Sequence, residues 1–385
     1  MLLRLFWLKL INKLVAIYSY LFEISSPYFS FWLKGLNFFW IYFQLYGVKS
    51  FKICYNSYRA QELEGFMSTS GLTAANIANA FDVNFIYARQ LFQSVDEDST
   101  LEDIQKLINA KPKPFVKWVG GKRQLLKQFR ELGLYPPEAF NPTTSTYHEP
   151  FVGGGAVFFD LLPKNAKLSD LNNELVITYN VIKNNVEELI KSLQKHIYDK
   201  EYYLEVRAKK VENLSNIEVA SRFIFLNRTG FNGLYRVNKS GQFNVPFGRY
   251  SKPVICDEDN LRRVSDALQD VVITHQDYKN VLETAKSGDF IYFDPPYYPI
   301  NTTSSFTSYT AEGFLEKEQT ELRDTFVKLH KRGCFVMLSN SDTPFINELY
   351  SGINGVIINK ITAGRAINSK GTGRGKITEV LVTNY

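Results

Sequence analysis

Residues Asp294-Pro295-Pro296-Tyr297 set one carboxylate against two prolines and a phenol, directly after the apolar run Phe290-Ile291-Tyr292-Phe293. These residue types suit one electronic problem. The exocyclic amine of a nucleobase is a poor nucleophile because its lone pair is delocalised into the ring. Two acceptors on its two N–H bonds draw it towards tetrahedral geometry and free that lone pair. Asp294 supplies one acceptor and the Pro295 carbonyl the other. Proline has no N–H to compete and holds φ near about −65°, so the carbonyl direction is set in advance. Tyr297 can stack on the base. A base inside a duplex is out of reach until it is flipped out of the stack. A methyl donor with a positive sulfur leaving group then needs in-line attack, which positioning favours, and no metal is called for. The competing reading is a structural Asp-Pro-Pro turn after a strand.

A second set lies earlier in the chain. Glu149-Pro150-Phe151-Val152 leads into Gly153-Gly154-Gly155 and an apolar helix ending at Leu162. A strand, an acid and then glycines opening a helix read as a nucleotide-type cradle, because glycines admit close approach and the helix start offers free N–H groups. The G-x-G-x-x-G spacing of a dinucleotide fingerprint is absent. Asp170, in Leu168-Ser169-Asp170-Leu171-Asn172, stands where a ribose or its neighbourhood would be bound. Lys117-Trp118-Val119-Gly120-Gly121-Lys122 holds a Gly-Gly-Lys but lacks the phosphate-loop frame. Trp118 and Lys122 could instead offer an aromatic face and an ammonium to one end of a ligand, such as an amino-acid carboxylate.

The elements that must position these residues alternate. Strands are expected at Ser145–Glu149, Ala166–Ser169, Val271–His275, Phe290–Phe293, Cys334–Ser339 (followed by Asn340), Val356–Ile361 and Ile377–Thr383. Residues Asn173–Leu193 have helical spacing. The pattern is that of a doubly wound α/β sheet. Ligands of such folds sit beyond the carboxyl ends of the strands, at the switch point. Glu149, Asp170, Asp277 and Asp294 all stand at expected strand ends.

The stretch 186–254 interrupts the alternation. Lys239-Ser240-Gly241, between Leu234–Asn238 and Gln242–Val245, reads as a hairpin turn. Residues 222–252 carry Arg222, Arg228, Arg236, Lys239, Arg249 and Lys252 with no Asp or Glu, in a chain of 39 acids. A basic, aromatic hairpin suits gripping phosphates and entering a groove; the bland alternative is a solvated loop.

The chain has 385 residues, 45% hydrophobic and 22% charged, so most of it is ordinary globular sequence of more than one domain. Cys54, Cys256 and Cys334 lie far apart, which fits a reducing compartment, and the four histidines are too scattered to read as a metal site. Residues 1–66 differ from the rest. They hold 17 aromatics before residue 56 and three of the four tryptophans. Their longest uncharged run, Gly35 to Val48, is 14 residues, short of the roughly 18 a membrane span needs. Three readings stand: a membrane-surface segment, a helical hairpin packed on something, or translated upstream sequence with the start at Met67. Membrane association is the less expected of these. Residues 67–110 read as a small helical unit, with Thr73 capping a helix over Ile77, Ala80 and Phe81, a second at Phe85–Gln93 and a third from Ser99 or Thr100 to about Ala110. Its first two helices could form a helix-turn-helix or simply pack on the main domain. Lys111-Pro112-Lys113-Pro114 is a linker.

Taken in order, KWVGGK (117–122), EPFVGGGAVFF (149–159), LSDLN (168–172), NRTGFNGLYRVNKSGQFNVPFG (227–248) and DPPY (294–297) resemble the Dam-like DNA adenine-N6 methyltransferase family over roughly 114–385. The resemblance implies a Rossmann-like, S-adenosylmethionine-dependent methyltransferase sheet built from 111–185 and 255–385, with 186–254 as an inserted helical and β-hairpin target-recognition domain. It implies that Trp118, Lys122, Phe151, Gly153, Gly155, Asp170, Asp277, Tyr278 and Asp294 meet S-adenosylmethionine, and that Asp294, Pro295 and Tyr297 hold the flipped adenine. Arg228, Asn232, Arg236, Asn238, Lys239, Gln242, Asn244 and Arg249 would meet duplex DNA. The NVPFG form resembles enzymes that modify GATC. A cytoplasmic bacterial or phage enzyme without metal or stable protein partner, protecting DNA from a companion nuclease, would follow. The alternatives are an RNA or cytosine-N4 methyltransferase, which meets the same electronic problem, and a catalytically inactive DNA-binding regulator reading DNA through residues 72–93.

Overall fold

The computed structural model describes residues 74–94, 101–118, 120–238, 240–300, 314–364 and 376–385. The expectations for residues 1–66, for Thr73 as a cap, for a helix start at Ser99 or Thr100 and for Lys239 lie outside them.

Seven strands form one sheet: β1 (Tyr147–Glu149), β2 (Ala166–Asp170), β3 (Val272–His275), β4 (Phe290–Phe293), β5 (Phe335–Ser341), β6 (Ile357–Gly364) and β7 (Lys376–Thr383), in the order β3-β2-β1-β4-β5-β7-β6. The pairs from β3 to β5 are parallel, while β7 lies antiparallel between β5 and β6. This is the Rossmann-like sheet expected. The order reverses between β1 and β4, so their carboxyl ends, at Glu149 and Phe293, flank the switch point.

Expected and observed strand limits differ where side chains take over the ladder. β1 begins at Tyr147 because the Ser145 N–H turns back to Asn141 O (2.9 Å) and the Thr146 N–H donates to Asp289 Oδ1 (2.8 Å). β5 runs on to Ser341, so Asn340 lies within the strand and not after it.

The helices carry the two outer layers. Before the sheet come α1 (Ala74–Phe81), α2 (Phe85–Ser94), α3 (Leu101–Asn109) and α4 (Leu126–Glu131), and α5 (Ala156–Leu161) follows β1. The expected single helix 173–193 is two, α6 (Asn173–Asn184) and α7 (Val186–Leu193), broken where Asn185 leaves helical geometry at φ −141°. Asn is a weak helix former, and two in a row end α6. The inserted stretch continues with α8 (Lys200–Ala208) and α9 (Asn216–Thr229), the latter opened by a reciprocal Ser215–Glu218 capping box. Then come α10 (Glu258–Leu268), α11 (Val281–Thr284), α12 (Glu316–Lys331) and α13 (Pro344–Tyr350).

The core follows the period-two alternation of the strands. Phe290, Tyr292, Met337 and Leu381 pack on one face with Leu175, Tyr179, Phe223 and Leu261 of the helices. Ile291, Phe293, Val336, Leu338, Val380 and Val382 pack on the other with Leu322, Phe326 and Ile346. Each such side chain contributes roughly 1.5–3 kcal/mol by leaving water.

The helical unit α1–α3 is docked on the sheet domain. Asn84 donates to the Asp160 carbonyl, Gln90 Nε2 to Leu162 O (2.8 Å), and Arg130 bridges Asp160 (3.1 Å) and Asp82 (3.3 Å). That is the packed add-on reading. Between 67 and 110 the chain holds Asp82, Asp96, Glu97, Asp98, Glu102 and Asp103 against Arg89 and Lys106, a balance that a phosphate backbone repels. No described helix is long and apolar enough to cross a membrane.

Candidate active site

The carboxyl ends of β1 to β5 bring the sequence motifs to one edge. Asp294 leaves β4 with its carboxylate 2.7 Å from the Lys122 ammonium. Lys122 sits on a single 3₁₀ turn, Lys122–Gln124, and is almost wholly buried. Its ammonium also reaches the Gly120 carbonyl (2.5 Å) and lies 4.8 Å from the centre of the Tyr297 ring. Burial pushes the Asp294 carboxyl above its usual range, and the Lys122 charge and hydrogen bond work against that rise. Lys122, offered by the sequence as a partner for a ligand carboxylate, is therefore engaged with Asp294 in this state.

The backbone between Asp294 and Tyr298 is pinned from outside. Gln319 of α12 donates to Pro296 O (3.0 Å) and accepts from Asn340 Nδ2 (2.9 Å). Asn340 Oδ1 in turn accepts the Tyr298 N–H (3.1 Å), and Ser341 Oγ donates to Tyr298 O (2.7 Å). The Pro295 carbonyl accepts no hydrogen bond from a described residue. Tyr297 donates from its hydroxyl to Glu379 Oε2 (3.0 Å) on β7.

The glycine turn after β1 is packed by the protein's own rings. Gly153 and Gly155 have φ of +47° and +68°. A Cβ on Gly153 would lie 2.5 Å from the Trp118 indole nitrogen, and one on Gly155 would lie 2.6 Å from the Tyr179 hydroxyl. Trp118 stacks in turn on Phe223 and Tyr235 of the insert, at 6.4 and 6.1 Å between ring centres. Asp170 accepts the N–H groups of Gly153 (3.1 Å) and Asn172 (2.9 Å), which fixes the turn against the end of β2. Burial raises its carboxyl, and these backbone N–H groups oppose the rise.

A third wall is aromatic. Phe151 stacks on Tyr278 (5.2 Å between centres, 25° between planes), with Phe293 and Phe314 edge-on. Asp277 caps the turn that carries Tyr278 by accepting the Lys279 N–H (2.8 Å). The Tyr278 hydroxyl is buried and has no hydrogen-bond partner among the described residues. A flat apolar wall holding one unmet polar atom fits a purine ring with polar edges. Phe151 and Tyr278 provide that wall, with Asp277 at the start of the turn that carries Tyr278. Among the described residues no group of three or more His, Cys, Asp or Glu could hold a metal.

Glu149 stands at a strand end as expected, but its carboxyl turns inward. It accepts from the Tyr147 hydroxyl (2.9 Å) and from the Phe158 N–H (3.1 Å) in α5. Burial pushes it up to about 8, so it holds its proton at neutral pH.

The basic insert divides in two. Arg222 is buried, donating to Val206 O (3.1 Å), Arg207 O (3.1 Å) and Glu174 (2.8 Å). Arg228 is half-buried and donates to Phe115 O (3.1 Å). Both join elements within the domain. Asn232 (φ 55°), Arg236, Asn238, Gln242 and Arg249 are exposed, and Asn244 is half-buried. The expected hairpin is a looser loop, in which the described residues form an isolated bridge from Val237 to Phe243, with another from Gly230 to Phe247 at its base. Arg236 is tied to the Asn244 side chain (2.6 Å) and carbonyl (3.1 Å), while Asn238 accepts from the Ser240 and Gln242 N–H groups. Tyr235 and Arg222 both bond Glu174, two residues beyond the Asn172 cap. The cofactor-side motif and the insert are so linked by a residue that the sequence did not single out.

Comparison with known proteins places this arrangement. The family model for D12 class N6 adenine-specific DNA methyltransferases matches residues 118–365. The chain belongs to that family. Two type II methyltransferases are similar to it: M1.LlaDCHI of Lactococcus lactis, 46% identical over 281 residues (71% of this chain and 95% of the relative), and M.MjaIII of Methanocaldococcus jannaschii, 45% identical over 291 residues (71% and 99%). The DNA adenine methylase of Vibrio cholerae is 36% identical over 276 residues (70% and 95%).

Proposed function

We propose that this chain transfers a methyl group from S-adenosylmethionine to N6 of an adenine flipped out of duplex DNA, within GATC, as the cytoplasmic modification enzyme of a restriction–modification system. The observation that carries the reading is the Asp294–Tyr297 loop, where the Asp294 carboxylate and the Tyr297 ring both meet buried Lys122 and the Pro295 carbonyl between them accepts from no described residue. Two relatives named type II methyltransferases support the modification role, and the NVPFG stretch at 244–248 supports the site.

When bound, S-adenosylmethionine supplies an electrophilic methyl group. Phe151 and Tyr278 would hold its adenine, with Asp277 beside it, and Asp170 its ribose. Asp294 and Pro295 accept from the target amine and localise its lone pair. Lys122 favours the ionised form of Asp294 against the effect of burial and aims its carboxylate. The exposed residues Asn232, Arg236, Asn238, Gln242 and Arg249, with Lys239 and Asn244, would meet the duplex.

The test is methyl transfer from labelled S-adenosylmethionine to a duplex with one GATC, to the same duplex with its target adenines replaced, and to a single-stranded RNA. Label on the first alone is expected. Label on mixed-sequence DNA but not on the GATC duplex would overturn the site, and label on the RNA would overturn the substrate class.

A further inference from the structure

Tyr297 can act as a stacking platform only if its ring is fixed, and the backbone alone leaves two side-chain torsions open. The ring is held at its far end by Glu379, 82 residues later in sequence, whose Oε2 accepts from the hydroxyl at 3.0 Å. It is held on one face by the Lys122 ammonium, 4.8 Å from the ring centre. Burial, followed by the nearby Asp294 and Glu379 charges, raises the Tyr297 hydroxyl well above the usual phenol range, so it stays a donor. The bond is thus phenol to carboxylate, the charge-assisted kind.

Glu379 is not placed there by the strand pattern. β7 pairs it with Ser341 on one side and Ile361 on the other, and it shares a face with Leu381, which is part of the core. A carboxylate at such a position is costly unless it is hydrogen-bonded. It accepts from the one aromatic ring of the loop proposed to hold the target base.

We infer that Glu379 is a positioning residue for methyl transfer: it holds the Tyr297 ring at the angle on which the flipped adenine stacks, and thereby aims the target amine. This rests on the proposed role of the Asp294–Tyr297 loop.

The experiment uses the full chain with Glu379→Ala, Glu379→Gln, Tyr297→Phe, Tyr297→Ala and the double variant Tyr297→Phe/Glu379→Ala. Single-turnover methyl transfer, KM for S-adenosylmethionine and the fluorescence of 2-aminopurine at the target adenine are read for each. Glu379→Ala should slow transfer by about 10- to 100-fold, the range of one hydrogen bond to a charged group. KM for S-adenosylmethionine should stay within about twofold, since Glu379 acts on the base side. The 2-aminopurine signal should change. Glu379→Gln, which still offers an acceptor, should restore most of the rate. The double variant should be little slower than Tyr297→Phe, because both substitutions remove the same hydrogen bond.

If Glu379→Ala slows Tyr297→Phe as much as it slows the wild type, Glu379 acts independently of the ring and the inference fails. It fails equally if Glu379→Ala transfers at full rate while Tyr297→Ala does not. A full rate in Tyr297→Ala would instead sink the reading of the loop itself. Should Glu379→Ala not fold, Tyr297→Phe alone decides, for it deletes only the hydroxyl and must reproduce the loss of rate and the changed fluorescence.

Discussion

The Asp294–Tyr298 loop and the 231–250 loop have similar ingredients, aromatics, proline and few ladder hydrogen bonds, yet they are held in opposite ways. The first is fixed by side chains from distant elements: Lys122, Gln319, Asn340, Ser341 and Glu379. The second is tied to distant elements only towards its ends, by Tyr235 on Glu174, Val245 on Tyr203 and Arg207, and Gly248 on Tyr198, while its tip is fixed by its own residues, with Arg236 on Asn244 and Asn238 on Ser240 and Gln242. A loop that aims a reacting amine gains from a scaffold that cannot shift, because small misplacements are costly to rate. A loop that enters a groove must project from the scaffold, so its order has to come from within. The difference also sorts the basic residues. Arg222 serves the scaffold, and Arg236 serves the surface.

That contrast gives its largest test at Arg222. Its guanidinium is buried with three acceptors, one of them Glu174. Arg222→Ala strips the half-buried Glu174 carboxylate of its charged partner, leaving it only the Tyr235 hydroxyl of those two donors, and should cost about 3–5 kcal/mol in urea denaturation. Duplex affinity per folded molecule should be unchanged. A loss of DNA binding in a fully folded variant would place Arg222 on the surface side of the comparison after all.

Asp294→Ala tests the other loop. It deletes an acceptor and not a phosphate contact, so single-turnover transfer should fall by about 10²–10³-fold. Binding to duplex DNA in a gel-shift titration should persist. Transfer near the wild-type rate would remove Asp294 from the chemistry.

The scaffold beneath that loop carries a pH signature. Glu149 is pushed up to about 8 by burial from an ordinary 4.5. Below the ordinary value both folded and unfolded chains hold the proton. Between the two values the unfolded chain has released it while the folded chain keeps it, so this group makes stability fall as pH rises through that window. The fall should approach about 1.4 kcal/mol per pH unit at most. Melting temperatures measured from pH 5 to 8 should show it, and Glu149→Gln should flatten it. An unchanged slope in the variant would mean that Glu149 titrates normally.

What could be read from the sequence follows the same division. The strands were legible because a two-residue alternation and a run of apolar residues mark them locally. The Asp-Pro-Pro-Tyr set was legible because four adjacent residues define a chemistry. Gln319, Asn340 and Glu379 were not, since they act on that loop only through contacts 23 to 82 residues away in sequence. Counting positives in 222–252 could not separate Arg222 and Arg228 from Arg236 and Arg249, because charge alone does not say which side chain faces inward. Gly153 was read as space for a ligand, and the space is taken by Trp118. Both uses require the same glycine, so the residue type cannot tell them apart.

The smallest of these effects is also the one that most sharpens the comparison. Arg236 is exposed, and its bonds are to Asn244 of the same loop. Arg236→Ala should therefore change folding stability by no more than about 0.5 kcal/mol, as surface substitutions do. Duplex affinity should fall by about 1–3 kcal/mol if the residue reads a base, with specificity relaxed at that position. If it meets a phosphate, affinity should fall alike for every sequence, and the dependence on salt should lose about one unit of slope. Titrations of a GATC duplex and a scrambled duplex at two or more salt concentrations separate these outcomes. Should neither affinity nor specificity move, the 231–250 loop orders itself for some purpose other than reading DNA, and the contrast between the two loops loses its functional meaning.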